Sequence, residues 1–342
     1  MGDAAGIGAE IIVKALSRPE LYESAIPVVY GDEAPMRDAL RFTGHSELKL
    51  HCIKNCTDAI GEYGCIDLVD LGLLRDGDWT YKKNQPKSGD ASFQYVTRAI
   101  HDAMEQRVDA VVTAPISKEA IHMGGHNYSG HTEIFADYTH TKNYGMLLSS
   151  DKLKVIHVTT HVSMREACDR ITRERVLNTI KLAQLGLELL GYEHPRIAVA
   201  GFNAHCSENG LFGDQEALAI IPAVEDAQKL GYDVTGPIPP DTVFCKAISG
   251  MYDIVVAMYH DQGHIPIKLM GFKLDPKTNT YASMSGINCT IGLPIIRTSV
   301  DHGTAYGKAG EGRANEQSLV EAIQASEIMA ANLRKRNGQT DV

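Results

Sequence analysis

Short runs of β-branched and apolar residues alternate along the chain with longer stretches of helical periodicity. Five of these runs predict strands, and their near-continuous apolar character is typical of strands that are buried on both faces. The predicted strands cover residues 26–31, 108–115, 153–161, 196–202 and 252–259.

Amphipathic stretches lie between these strands and predict helices over residues 91–106, 175–190 and 215–230. Pro222 predicts a kink or a restart in the third helix, because proline cannot donate a backbone hydrogen bond. Strands that alternate with helices indicate βαβ crossovers and a mostly parallel sheet that is covered on both sides. Residues 273–285 are polar and lack periodicity, so we expect an exposed loop there.

The composition narrows the class of protein. The chain has 342 residues, 44% of them hydrophobic and 22% charged, which is ordinary globular usage and enough length for about two domains. The formal net charge of −10 gives no reason to expect a nucleic-acid partner. No apolar run approaches the ~20 residues of a membrane span, so we expect no membrane association. Seven scattered cysteines without a signal peptide indicate free thiols in a cytoplasmic protein.

Three of the predicted strands lead into a histidine. His161, His205 and His260 follow the runs that begin at residues 153, 196 and 252. Ligands of open parallel sheets bind beyond the carboxyl ends of the strands, so these imidazoles could converge on one divalent cation and leave a coordination position open. The alternative is that they are hydrogen-bonded loop residues, since the chain has 14 histidines.

Two further clusters carry candidate ligand-binding groups. Gly130-His131-Thr132-Glu133 offers donors for an anion or hydroxyl, although a helix N-cap at Gly130 or Thr132 would also explain it. Two cationic side chains and an amide could clamp a phosphate or carboxylate, unless they are only solvated surface groups. These three residues are Lys268, Asn288 and Arg297.

Two segments are rich in glycine. Residues 2–11 lead into a predicted helix and could hold an anion at its N-terminus. They do not match Gly-x-Gly-x-x-Gly and no strand precedes them, so a Rossmann fingerprint is not supported. Residues 301–312 are glycine-rich and polar, and they could equally receive a nucleotide or form an ordinary surface loop.

Five segments occur in an order that matches one known family. They are GDAAGIGAEI (2–11), TAPISKE (113–119), GHTE (130–133), YHDQG (259–263) and GLPIIRTSVDHGTA (292–305). Together they resemble the 4-hydroxythreonine-4-phosphate dehydrogenase family, from residue 2 to about residue 330. Within that family, some segments are more similar to the 4-phospho-D-threonate 3-dehydrogenase branch. These segments are residues 125–128, 151–158, 208–214 and 262–268.

The resemblance implies a two-domain, three-layer α/β fold with mostly parallel sheets, similar to isocitrate and isopropylmalate dehydrogenases and unlike a Rossmann fold. The first α/β domain would comprise residues 1–125 and 300–342, with its first strand missing. The second would comprise residues 126–299 and carry the metal and dimer contacts. Residues 273–285 are longer than the usual link and are expected to alter access to the substrate pocket.

The family also implies cofactors and site residues. The cofactors are NAD and a divalent metal, which could be zinc, magnesium, manganese or cobalt. The metal ligands would be His161, His205 and His260, supplied by both subunits of a homodimer. The implied substrate contacts are His131, Thr132, Lys268, Asn288 and Arg297, and the implied NAD contacts are Gly292, Asp301, His302 and Gly303.

The implied reaction is the metal-dependent, NAD-linked oxidation and decarboxylation of 4-phospho-D-threonate, or 4-phospho-D-erythronate, to dihydroxyacetone phosphate and CO₂. Asp241, Asp261 and Lys118 are candidates for the catalytic base, with Asp261 favoured as a residue that orients His260. One alternative is the 4-hydroxythreonine-4-phosphate dehydrogenase step of pyridoxal phosphate biosynthesis. A more distant one is a non-catalytic phosphometabolite-binding protein.

Overall fold

The computed structural model describes residues 1–276 and 280–338, and the chain divides into two compact units. The first comprises Met1–Lys142 and Leu293–Ala330, and the second comprises Asn143–Gly292 and Ala331–Val342. The divisions therefore fall after residues 142, 292 and 330, whereas the sequence led us to expect them after residues 125 and 299. The reason lies in packing, because Ile134 and Ile295 are buried in the core of the first unit.

The first unit is built from short strands and the helices that pack on them. Its strands are β1 (Val28–Gly31), β2 (Lys49–Ile53), β3 (Cys65–Asp70), β4 (Ala110–Thr113) and β13 (Ile296–Val300). Its helices are α1 (Gly8–Leu16), α2 (Glu33–Thr43), α3 (Pro86–Met104), α4 (Lys118–Met123), α5 (His131–Tyr138) and α11 (Gln317–Arg336), whose last turns count with the second unit. Strands β1, β3 and β2 form a parallel sheet in that order, and β4 pairs with β13 in parallel.

The long helix α3 forms much of the core of this unit. Tyr95 and Ile100 on its buried face are each 1% exposed. Gly89 allows α3 and α4 to pack very closely, since a Cβ at this position would lie only 1.9 Å from the carbonyl oxygen of Ala120. Any side chain at Gly89 would therefore push the two helices apart.

The second unit contains a sheet with the strand order β12-β5-β6-β9-β7-β8. Its strands are β5 (Gly145–Ser149), β6 (Lys154–His157), β7 (Arg196–Ala200), β8 (Asp233–Ile238), β9 (Ile254–Ala257), β10 (Phe272–Asp275), β11 (Thr280–Met284) and β12 (Ile287–Ile291). Its helices are α6 (Met164–Arg170), α7 (Arg173–Leu189), α8 (Ile221–Lys229), α9 (Val243–Ile248) and α10 (His260–Gly271). The pairs β6–β9, β9–β7 and β7–β8 are parallel, whereas β5 pairs antiparallel with both β12 and β6.

The alternating pattern of the sequence predicted this architecture. All five predicted strands are present as β1, β4, β6, β7 and β9, and the mostly parallel α/β arrangement is confirmed. The restart at Pro222 is confirmed as well, because a π-helical turn over Glu216–Ile220 gives way to α8 with the proline in its first turn. No helix among the described residues is long and apolar enough to cross a membrane.

The expected loop over residues 273–285 is wrong. The chain forms an antiparallel hairpin there from β10 and β11, and residues 277–279 between them lie outside the described part of the chain. Pro276 directly follows β10, and proline is a residue typical of strand ends and turns. The polar character of the segment hid the two short strands.

Candidate active site

Three parallel strands of the second unit end at a common edge, and a histidine follows each of them. His161 follows β6, His205 follows β7 and His260 begins α10 directly after β9. The predicted strand ends were too late, however. β6 ends at His157 and not at residue 161. A fourth histidine therefore lies at the end of the strand itself.

Hydrogen bonds hold the segments after β6 and β9 side by side. The backbone N–H of Val158 donates to the carbonyl oxygen of Ala257 at 2.8 Å, and the hydroxyl of Thr159 donates to the carbonyl of Met258 at 2.8 Å. From helix α7, the guanidinium of Arg175 donates to the carbonyl of Val158 at 2.9 Å. These bonds carry the chain past the sheet edge in a fixed direction toward the histidines.

Four imidazoles gather at this edge. The ring centroids of His161 and His260 are 5.9 Å apart, and those of His157 and His264 are 4.6 Å apart. His264 stacks on His260 with centroids 3.7 Å apart and an interplanar angle of 11°. A nitrogen-rich cluster of this kind supplies several lone pairs within a small volume.

Burial keeps the inner two histidines uncharged. The pKa of His157 is lowered to about 3, chiefly because the ring is removed from water and also because His264 and His260 are close. The pKa of His264 is lowered to about 4 by burial and by His260. Neutral rings form no ion pairs, so these two histidines contact their neighbours through packing and hydrogen bonds.

Two polar side chains on α10 fix the geometry around His260. The Asp261 carboxylate lies 2.7 Å from Nδ1 of His260, which leaves Nε2 of that ring available to a ligand. The buried amide of Gln262 accepts from the backbone N–H of Met258 at 2.6 Å and donates to the carbonyl of Gly201 at 2.8 Å. The amide thus joins the ends of β9 and β7. Asp261 contacts a histidine in the manner of an orienting residue.

His205 lies in an exposed turn after β7 whose backbone is unusual. Residues 205–209 all have positive φ values, starting with 50° at His205, a conformation that costs free energy in non-glycine residues. The buried carboxylate of Glu216 anchors the start of this turn, since it accepts from the backbone N–H groups of Phe202 and Asn203 at 2.8 and 2.7 Å. Asp241 is exposed and near this turn, where burial, Glu216 and Asp241 together raise the pKa of Cys206.

His161 and His260 fit a shared metal ion. With metal–nitrogen bonds of about 2.0–2.1 Å, two imidazoles on one tetrahedral ion have centroids about 5 Å apart, close to the separation seen here. Among the described residues of one chain, no group of three or more His, Cys, Asp or Glu side chains is arranged around a single metal position. The structure therefore brings together two of the three predicted ligands, and the role of His205 stays a prediction.

A second group of candidate residues lies in the first unit. Arg297 on β13 is only 2% exposed, donates to the hydroxyl of Thr113 at 2.8 Å and lies with Cζ 5.5 Å from the ring centroid of Phe135. His131 begins α5, and its buried Nε2 has no hydrogen-bond partner among the described residues. Burial and the positive charge of Arg297 hold the pKa of His131 well below its usual value. A fixed cation beside an imidazole that can donate is suited to an anionic group.

The GHTE segment itself is positioned by the start of α5. Gly130 occupies the N-cap position and Thr132 lies inside the first turn, so of the two alternatives for a cap only Gly130 holds. A Cβ at Gly130 would lie 3.8 Å from Cε of Lys118. Lys118 is therefore a neighbour of the predicted substrate-binding segment, although its side chain is exposed.

The other predicted substrate residues belong to the second unit. Lys268 lies on α10 with its ammonium 4.2 Å from the ring centroid of Phe272. Asn288 lies on β12 opposite Leu148 of β5. The structure places Lys268 and Asn288 in one unit and Arg297 in the other, and their joint use as an anion clamp stays a prediction.

The predicted NAD contacts also divide between the units. Gly292 has a φ of +100° at the end of the second unit's chain segment, where a Cβ would lie 2.6 Å from the carbonyl oxygen of Asn143. This close approach explains the glycine without a ligand. Asp301, His302 and Gly303 lie in the first unit. Their roles in binding NAD stay predictions.

The two glycine-rich segments of the first unit contact each other. The backbone N–H of Ile7 donates to the carbonyl of Thr304 at 3.1 Å, and the hydroxyl of Tyr306 donates to the Asp3 carboxylate at 2.6 Å. A Cβ at Gly6 would lie 3.0 Å from Thr304. The sequence showed both segments but gave no sign that they pack together.

Comparison with known proteins identifies the family. Residues 23–326 match the protein family described as pyridoxal phosphate biosynthetic protein PdxA. This chain belongs to the PdxA family. It is 46% identical over 330 residues to D-threonate 4-phosphate dehydrogenase of Salmonella typhimurium strain LT2, which covers 96% of this chain and 97% of that protein. It is 45% identical over 331 residues to the Cupriavidus necator protein of the same name, with 96% of both chains covered.

Solved structures agree with this family membership. The crystal structure of 4-hydroxythreonine-4-phosphate dehydrogenase from Klebsiella pneumoniae superimposes with a TM-score of 0.81 at 43% identity and covers 96% of this chain and 98% of that chain. The resemblance found in the five sequence segments is confirmed, and so is the α/β fold class.

Sequence reasoning missed four polar residues that build these sites. They are Thr113, His157, Gln262 and His264. A signal existed for His157, since a lone histidine within an apolar strand must find a buried partner. Gln262 and His264 lie within residues 259–268, where no spacing pattern indicates which groups their side chains contact.

Proposed function

We propose that this protein is an NAD-dependent dehydrogenase that oxidises the C3 hydroxyl of 4-phospho-D-threonate or 4-phospho-D-erythronate. The observation that carries the proposal is the pair His161 and His260, whose rings lie 5.9 Å apart with Nδ1 of His260 held by Asp261. Near-full-length similarity to proteins named D-threonate 4-phosphate dehydrogenase supports the same substrate class. The buried guanidinium of Arg297 supplies a cation for an anionic end of the substrate.

The chain's own residues bind and orient the substrate in this proposal. A divalent metal held by His161, His205 and His260 would act as a Lewis acid that lowers the pKa of the substrate hydroxyl. Gly292, Asp301, His302 and Gly303 would hold NAD, which would supply the hydride acceptor. Arg297, Lys268 and Asn288 would bind the phosphate and carboxylate, while His131 and Thr132 would orient the carbon chain.

The oxidised substrate is a β-keto acid that can lose its carboxylate. A proton leaves the C3 hydroxyl oxygen and a hydride leaves C3 for NAD, which forms the C3 ketone. The C1–C2 bond then breaks to release CO₂, and its electron pair stays on C2, which takes up a proton. A 2-hydroxy acid then yields dihydroxyacetone phosphate. Asp241 and Lys118 are the candidates for the group that moves the hydroxyl proton, and Asp261 is better placed to orient His260.

A related substrate is favoured by a separate observation. The Klebsiella pneumoniae structure carries the name 4-hydroxythreonine-4-phosphate dehydrogenase, which has a 2-amino substrate. Purified protein should be assayed for NADH formation with the 2-hydroxy and 2-amino substrates, with zinc and after chelation. We expect faster metal-dependent turnover of the 2-hydroxy acid. Faster turnover of the amino acid would assign the alternative, and ligand binding without NADH would contradict both.

The proposed homodimer with a shared metal site can be tested by complementation. His205→Ala and His260→Ala should each be inactive alone. If the ligands come from two subunits, mixed dimers contain one intact site, and remixing the two variants should restore activity. If one chain supplies all three ligands, no mixture of these variants should turn over substrate.

A further inference from the structure

Two histidines that the proposed reaction does not use lie directly behind His260. His157 closes β6 and is 1% exposed, and His264 lies on α10 one turn beyond His260. Nδ1 of His264 lies 3.1 Å from Nε2 of His157, which links the helix to the strand. The two rings and His260 thus form a continuous packed group.

Nδ1 of His264 has two hydrogen-bond partners. Nδ1 of His264 also lies 3.1 Å from the carbonyl oxygen of His260, which can only accept. Nδ1 of His264 is therefore in contact with both the carbonyl of its own helix and Nε2 of His157. The arrangement orients the His264 ring through both the strand and its own helix.

His264 cannot share a metal ion with His260. An imidazole binds a metal through a lone pair that lies in the plane of its ring. The two rings are stacked 3.7 Å apart at 11°, so their lone pairs lie in nearly parallel planes that do not meet at one ion. His264 instead covers one flat face of His260, while Asp261 holds its Nδ1 edge.

The backbone is shaped to allow this contact. A Cβ at Gly263 would lie 2.3 Å from Nε2 of His157 and 2.5 Å from Val155. Only glycine lets the first turn of α10 lie against the end of β6, and this brings His264 within hydrogen-bond distance of His157. The contact between His157 and His264 therefore depends on glycine at position 263.

We propose that His157 and His264 are a positioning pair that fixes the ring plane of His260 and thereby strengthens metal binding. The inference rests on the proposed function, because it takes His260 to be a metal ligand. Partners that orient a metal-binding histidine commonly contribute 10–100-fold in metal affinity. His157 and His264 act through His260 and do not contact the ion.

The test measures zinc affinity of metal-stripped, full-length protein by competition with a chromophoric chelator. His264→Ala should weaken zinc binding about 10–100-fold. His264→Phe keeps a ring against His260 and should recover part of the loss. The matched control is His194→Ala, an exposed histidine of the same unit, which should bind zinc like the native protein.

The outcomes separate the pair from the proposed function. Native affinity in a folded His264→Ala variant would overturn the positioning role while the proposed function stands. If His264→Ala does not fold, His157→Phe, which keeps a buried ring but removes the nitrogen that contacts His264, should show the same weakening. A melting temperature lowered without any change in zinc affinity would show a purely structural role. Absence of zinc binding to the native protein would overturn the positioning pair, and NADH formation with magnesium, manganese or cobalt would then decide the proposed function.

Discussion

The buried polar groups of the two units are built from opposite chemistry. In the first unit, Arg297 keeps a full positive charge while 2% exposed, and it is supported by the Thr113 hydroxyl and the face of Phe135. In the second unit, His157 is buried and His264 is half-buried, both rings are neutral, and they lie beside the edge that carries His161 and His260. A buried cation favours an anionic partner, whereas the lone pair of a neutral imidazole favours a metal ion. The Arg297 side chain of the first unit is therefore suited to an anion, and the histidine edge of the second unit is suited to a cation.

The largest effect is expected from removing the buried cation of the first unit. Arg297→Met should weaken substrate binding by about 2–5 kcal/mol, a factor of about 30 to several thousand, because the anion would lose a desolvated charged partner. The measurement is KM and kcat with the phosphorylated substrate. Arg196→Met is the control, since Arg196 forms an exposed ion pair with Asp253 and its loss should leave KM unchanged. A native KM in Arg297→Met would contradict the anion assignment.

A second variant tests what stabilises the turn that carries His205 in the second unit. Glu216→Ala removes the carboxylate that accepts from two backbone N–H groups before His205, and leaving buried donors unpaired costs about 1–3 kcal/mol. We expect that loss in the free energy of unfolding, measured with urea. Glu225→Ala on the exposed side of α8 should change it little. Equal stability of the two variants would show that the turn does not need its anchor.

The smallest expected effect is the pH dependence contributed by His131. Its pKa is lowered in the folded chain, so below about pH 6.5 the unfolded chain takes up the proton first. The stability that depends on a neutral His131 is complete above that pH and is lost as the pH falls. His131→Gln should therefore lose less stability between pH 7 and 5 than the native protein, by no more than about 1.4 kcal/mol per pH unit. Identical slopes in urea unfolding at each pH would contradict a buried neutral His131.

The sequence predicted the strands and the edge at which they end, because periodicity reports burial directly. It placed His161 and His260 at the same edge because each follows the carboxyl end of a predicted parallel strand, and the structure shows that the two rings are neighbours. It did not predict the stacking of His264, since one helical turn of sequence does not say which strand a helix face will contact. Nor did it predict the contact of Gly6 with Thr304, which joins segments from opposite ends of the chain.

The amide of Gln262 has a mechanical consequence. By bonding Met258 on one side and Gly201 on the other, it ties two strand ends that no other side chain described here spans in this way. The ends of β7 and β9 can therefore separate only if one of these hydrogen bonds breaks. A movement that admits a reactant would then have to come from the turn after Gly201 or from the part of helix α10 after Gln262.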